Sequence, residues 1–277
     1  MPSQASCGIL VVILTDRRSR RARARRSAER LAQVQEGVSV SMTKWVDPQL
    51  NLRWQHAAYL ALALVATIFF VLLAPSSGAY FRRFFGKTNA ILVVAIASVV
   101  GAAALWVLRS RFGFAILRGR ATLKGIALSA VLATAMGVAI IVADLFIRYP
   151  ENTNVPVPRA LLFYPAIGFV AEIVFHVLPL AVLLLALSPL AGRLGKERVV
   201  WIGILLVAAL EPAFQVLFEG KAFTWGAAYT ALHVFVFAAL QLYVFRRFDF
   251  VTMYVFRLVY YAYWHILWGV IRLKVLF

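Results

Sequence analysis

Apolar residues gather in seven runs, at about 54–74, 89–108, 124–147, 159–188, 199–218, 222–245 and 250–271, and the short connections hold most of the proline, glycine and charge. Each run has the roughly 20 residues a helix needs to cross the hydrocarbon of a bilayer. The runs are too long, and alternate too little, for the strands of a membrane barrel. The pattern therefore predicts an all-α chain, a polytopic transmembrane helical bundle of about seven spanning helices. No repeat of fixed period interrupts it, and no linker is long enough to separate one folded domain from another.

Polar residues inside these runs are the anomaly. The run 159–188 carries no charge except Arg159 and Glu172, and Glu172 and His176 lie near its middle, four residues apart. On a helix that spacing is one face. A carboxylate in hydrocarbon is costly unless it has a partner, so it marks a functional site by default. Pro165, Gly168 and Pro179 flank the pair and predict a bend. Two later runs repeat the anomaly. One holds Glu211, followed by Pro212 and, at i+4, Gln215; the other holds Arg257, Tyr261 and His265 at steps of four. His233 has apolar neighbours and reads as a packed or interhelical histidine. The first two runs have uncharged interiors and read as scaffold, with Gly101 allowing close helix approach. In the third, Asp144 precedes Arg148 by four residues and reads as an interfacial ion pair rather than a proton relay. The following YPENTNVPVPR segment reads as a short, stiff, exposed turn.

Composition agrees with a membrane protein. Of 277 residues 63% are hydrophobic and only 14% charged, against about 25% charged in a soluble domain. The net charge is +18, yet the basic residues sit in a tail and in short loops between apolar runs. That distribution suits the cytoplasmic face of a membrane better than a nucleic-acid partner. Residues 1–53 form the tail, with RRSRRARARRSAER at Arg17–Arg30 after a short apolar stretch, the reverse of a signal peptide's order. It reads either as a segment bound to anionic lipid or nucleic acid, or as a disordered cytoplasmic leader that fixes topology. Anionic lipid is the expected partner of the two; Met42 is an alternative start. Alternate loops are the more basic: Arg109, Arg111, Arg118, Arg120 and Lys124, then Arg193, Lys196 and Arg198, then Arg246 and Arg247. They predict a cytoplasmic amino terminus and an outside carboxyl terminus in a prokaryotic inner membrane, with Arg82, Arg83 and Lys87 as an exception. Cys7 is the single cysteine, which excludes an internal disulfide and a cysteine-rich metal cluster.

Two carboxylates and two or three imidazoles on neighbouring spans could bind zinc, which accepts both ligand types and, in catalytic sites, keeps a position for water. The candidate ligands are His176, Glu211 and His265, with His233 in reserve and Glu172 as the base that takes the water proton. Arg257 can neutralise a buried carboxylate or steady an oxyanion, or pair with Asp249 two turns earlier. The competing reading of each residue is an interhelical hydrogen bond that holds the bundle together.

The layout of the last four runs, about residues 160–270, resembles the CPBP intramembrane metalloprotease family, which includes the CAAX prenyl endopeptidases and bacteriocin-immunity proteins. That family's motifs are Glu-Glu-x-x-x-Arg, Phe-x-x-x-His, and His followed at i+4 by Asn or a similar residue. Here AEIVFH (Ala171–His176) occupies the first, with Ala171 and His176 in place of the first glutamate and the arginine. Glu211 and Val207 replace the histidine and phenylalanine of the second; His265 matches the third, with Gly269 where Asn is common. Residues 54–158 read as three scaffold transmembrane helices outside the resemblance, and the resemblance implies a four-helix core over 159–277. It implies a zinc-dependent endopeptidase acting on a membrane-associated peptide or protein, with His and Glu exchanged between two ligand positions. The alternative is a non-catalytic scaffold or assembly subunit that keeps the fold and binds a partner membrane protein. The absent first glutamate, which has the water-activating role in that family, favours the alternative.

Overall fold

The computed structural model describes residues 52–74, 78–219 and 224–277, and every regular element among them is helical. The basic tail, Cys7 and Met42 lie outside the described residues. The order is α1 (Leu52–Leu73), the short α2 (Gly78–Phe85), α3 (Ala90–Phe112), α4 (Arg120–Ile147), α5 (Ala160–Leu194), α6 (Lys196–Ala208), α7 (Leu210–Glu219) and α8 (Trp225–Arg247). A last rod, α9, runs as Phe250–Tyr261, a π-helical turn Ala262–Leu267 and Trp268–Val275. Five of these helices, α1, α3, α4, α5 and α8, are long and apolar enough to cross a bilayer.

Local chemistry sets the helix ends. Asn89 caps α3 by accepting from the Ile91 and Leu92 amides, and Gly113, in the left-handed region at φ 75°, closes it. Thr224 and Asp249 cap α8 and α9 in the same way as Asn89. The fifth apolar run is not one helix. Pro212 lacks the amide that would bond the Ala208 carbonyl, and α6 ends at Ala208. Ala209 is the joint, and Glu211 is thereby placed in the first turn of α7.

The polarity of this bundle is the reverse of a soluble protein's. Leu60, Leu64, Val99, Trp106, Val131 and Phe146 face outward, while Asp144, Glu172, His176, Gln241, Arg257 and Arg272 are buried. In hydrocarbon the polar groups must find one another inside. Small residues let the helices close over them. A Cβ on Gly101 would run into the Tyr59 hydroxyl and lie 2.6 Å from Ile173 Cδ1, so α1, α3 and α5 meet at that point. Along α4, Gly125 and Gly137 admit Phe248, Thr252 and Tyr263 of the α8–α9 corner and α9. Packing thus joins α4 closely to the last helix.

Candidate functional site

The centre of the bundle is an ionic cluster supplied by four helices. The π-helical turn Glu172–Val177 in α5 lies just ahead of Pro179, and Leu178 N–H donates to the Ile173 carbonyl five residues back. Such turns widen a helix locally and recur at functional positions. This one carries Glu172 and His176, both fully buried. Helix α7 contributes Glu211, α8 contributes Gln241, and α9 contributes Arg257 and Tyr261.

Arg257 organises the group. Its Nε donates to Glu172 Oε1 at 2.7 Å. Its Nη1 donates to Tyr261 OH at 2.8 Å and to Glu211 Oε1 at 3.3 Å, and its Nη2 to Glu211 Oε2 at 3.0 Å and Gln241 Oε1 at 3.1 Å. A guanidinium has five N–H donors, and all are engaged. The Phe237 ring lies 5.3 Å from the guanidinium carbon, a cation–π contact. The Gln241 amide donates in turn to Glu172 Oε1. Of the three roles the sequence allows Arg257, neutralising a buried carboxylate is the one its geometry matches; Asp249 has other partners.

His176 stands between the carboxylates. Its Nδ1 is 3.0 Å from Glu172 Oε2 and its Nε2 is 3.7 Å from Glu211 Oε2. The first contact is at ion-pairing distance, and neither ring nitrogen nor Glu172 Oε2 has a well-formed hydrogen bond. The second is too long.

The structure brings together Glu172, His176, Glu211 and Arg257 of the predicted set and holds His265 apart. His265 Nδ1 is 2.7 Å from Asn154 Oδ1, and its ring stacks on Tyr164 at 4.3 Å. His265 stays beside Tyr261, their ring centroids 4.9 Å apart, but its Nδ1 is engaged by the loop after α4 rather than by the ionic cluster. The predicted zinc ligands His176, Glu211 and His265 therefore do not converge. Among the described residues no group of three or more His, Cys, Asp and Glu side chains could hold a metal ion. A guanidinium occupies the place beside Glu172 and Glu211 where a cation would sit. The donor set does not fit the zinc centre that the resemblance implies.

Three further partners escape sequence reasoning. Gln241 sits at i+8 from His233 and i+4 from Phe237, all buried on one face of α8, and that periodicity is the signal that could have found it. Asn154 comes from the loop after α4, whose Val155 is also buried and donates its amide to Tyr164 OH at 2.8 Å. Most of that segment is exposed, as expected of a turn, but Asn154 and Val155 anchor it to the bundle. Asp144 pairs with Arg272, not with Arg148: Arg272 Nε and Nη2 reach its carboxylate at 2.7 and 3.1 Å, and Trp268 Nε1 donates to it at 2.7 Å. Arg148 instead ends α4 as an exposed residue in the left-handed region, φ 54°. Arg272 also caps the loop by donating to the Tyr149 and Pro150 carbonyls at 2.5 and 3.0 Å. Burial raises the Tyr149 phenol from its ordinary value, against the opposing pull of its hydrogen bond with Thr230. His233 is interhelical, 3.1 Å from Tyr260 OH.

No family model, no curated protein and no solved structure matches this chain.

Proposed function

We propose that the chain is a non-catalytic membrane scaffold or assembly subunit, whose central polar residues hold the bundle together for a partner membrane protein. The observation that carries this is the saturation of Arg257, whose five donors tie Glu172, Glu211, Gln241 and Tyr261 from four helices into one buried unit. Both oxygens of Glu211 and one of Glu172 are thereby engaged, which leaves Glu211 no free oxygen for a metal. We also propose seven crossings, with the amino terminus cytoplasmic in an inner membrane. The two beyond the five apolar helices are α6–α7 and α9. Arg257 and Arg272 of α9 are buried and paired, so their charge does not bar that rod from hydrocarbon.

The endopeptidase reading rests on the resemblance to the CPBP family and on His176, whose ring nitrogens lie unbonded between two carboxylates. It requires Glu211 to leave Arg257 and the ring of His265 to approach His176 and Glu211. Elemental analysis of purified wild type, Glu211→Ala and His265→Ala separates the two. The scaffold reading expects zinc far below one equivalent in all three. One equivalent in wild type that disappears in both variants would overturn it in favour of the protease.

A further inference from the structure

We propose that Arg118, Arg246 and Arg247, gathered at the turn that follows α3, bind the phosphodiester of an anionic lipid headgroup in the leaflet at that end of the bundle. The turn lies where three apolar helices end or begin: α3 at Phe112, α4 at Arg120 and α8 at Arg247. These termini place it at the membrane–water boundary.

Two of the guanidiniums are fixed on the last carbonyls of α3. Arg246 Nη1 donates to the Phe112 carbonyl at 2.9 Å, and Arg118 Nη2 donates to the Gly113 carbonyl at 3.2 Å. The Phe114 ring lies 5.2 Å from the Arg246 guanidinium carbon. Arg247 follows in sequence and is exposed. Held this way, planar donor forks are preorganised for phosphate oxygens.

Two acids, Asp249 and Glu197, lie near the three arginines and offset their charge only in part. Asp249 accepts from the Arg118 and Thr252 amides at 3.0 and 2.9 Å, from the Thr252 hydroxyl at 2.7 Å, and from the Thr122 hydroxyl. Those four bonds fill the sites of a carboxylate, so its oxygens are taken by backbone and hydroxyls. Glu197 pairs with Arg246, but its side chain is 65% exposed, and such pairs are weak and screened. Geometry and charge together leave an excess of positive charge around one turn. The electrostatics agree: burial lowers the Arg118 guanidinium from its ordinary value, Asp249 opposes this, and Arg246 and Arg247 lower it further.

The source of the phosphate is a lipid because the cluster lies at the ends of apolar helices, where headgroups are concentrated. Each arginine near an anionic surface contributes about 1 kcal/mol, roughly a fivefold change in affinity.

Native mass spectrometry of the full chain in detergent, titrated with phosphatidylglycerol and separately with phosphatidylcholine, tests this. The expected result is preferential retention of phosphatidylglycerol by wild type, about fivefold weaker in Arg247→Gln and weaker again in Arg118→Gln/Arg247→Gln. Arg159→Gln, at the start of α5 on the opposite end, should match wild type. Arg247 is exposed and outside the core, so the single variant reports even if the double variant fails to fold, which size-exclusion chromatography would reveal. Equal retention in wild type and Arg247→Gln would overturn the proposal, as would an equal loss in Arg159→Gln. Displacement of the adduct by millimolar inorganic phosphate would assign the cluster to free phosphate instead, and would also overturn it.

Discussion

Arg257 and Glu172 meet at 2.7 Å, Nε to Oε1, across 85 positions of sequence, and neither side chain reaches the surface. The pair joins α9 to α5, and the remaining donors of Arg257 bring in α7 and α8. In a medium without water the donors of Arg257 are satisfied only by these neighbours, so the cluster behaves as one unit rather than as separable contacts. That condition explains why polar residues can sit in runs otherwise apolar enough to cross a bilayer.

Removing one member leaves the others charged and buried. Arg257→Met should therefore cost about 3–5 kcal/mol of stability, the range for breaking a buried pair from one side. Neutralising the whole unit, as Arg257→Met with Glu172→Gln and Glu211→Gln, should recover most of that loss. Unfolding in mixed micelles measures both. A triple variant no more stable than the single would show that Arg257 acts through packing, not charge.

The i,i+4 rule made the Glu172–His176 face legible, and α5 keeps it. The same rule applied to Arg257, Tyr261 and His265 holds for the first step, where Arg257 bonds Tyr261 at 2.8 Å. At the second the rings of Tyr261 and His265 still meet, 4.9 Å between centroids, but the polar partner of His265 is Asn154 of a distant loop, which spacing along the helix cannot reveal. Gln241 carries no charge and so raised no alarm among apolar neighbours, although it bonds the central carboxylate. Nor can local spacing find a partner 128 positions away, which is where Asp144 finds Arg272. A local rule offered Arg148, and the left-handed end of α4 turns that residue out.

This difference can be measured. Arg272→Ala strands Asp144 and several loop carbonyls in the interior and should cost about 3–5 kcal/mol. Arg148→Ala should change stability by less than about 1 kcal/mol, and Arg148→Gly should be neutral or stabilising, since glycine adopts positive φ without strain. Thermal unfolding of the three variants decides the matter. Equal losses in Arg148→Ala and Arg272→Ala would contradict the assignment of Asp144 to Arg272.

Gly101 provides a test of packing alone. The methyl of Gly101→Ala would run into Tyr59 OH and meet Ile173 Cδ1 at 2.6 Å, so one of three helices must shift, at about 1–3 kcal/mol. Tyr59→Phe and Ile173→Val remove the two obstructing atoms. Adding them to Gly101→Ala should restore some of the loss, although Tyr59→Phe also gives up the bond to the Ser98 carbonyl at 2.7 Å. Additive losses across the three substitutions would argue against this contact.

The orientation of His265 is set by a residue from outside its own helix. Asn154 reaches it from the loop after α4, at 2.7 Å, and lies against Gly269, whose added Cβ would stand 3.0 Å from Asn154 Nδ2 and 3.2 Å from its Cβ. Gly269 is four residues beyond His265, the position where the resembled family often has Asn; in this chain that position is empty of side chain, and an asparagine from elsewhere fills the space. Two different substitutions should therefore have one effect. Asn154→Ala removes the partner of His265, and Gly269→Ala pushes that partner away. Both should raise the rate at which diethylpyrocarbonate modifies His265, read peptide by peptide, while buried His176 and His233 keep their wild-type rates and exposed His56 serves as the internal standard. The two substitutions combined should do little more than either alone, because they break the same contact. An unchanged His265 rate in Asn154→Ala would mean that stacking on Tyr164, rather than the asparagine, holds the ring in place.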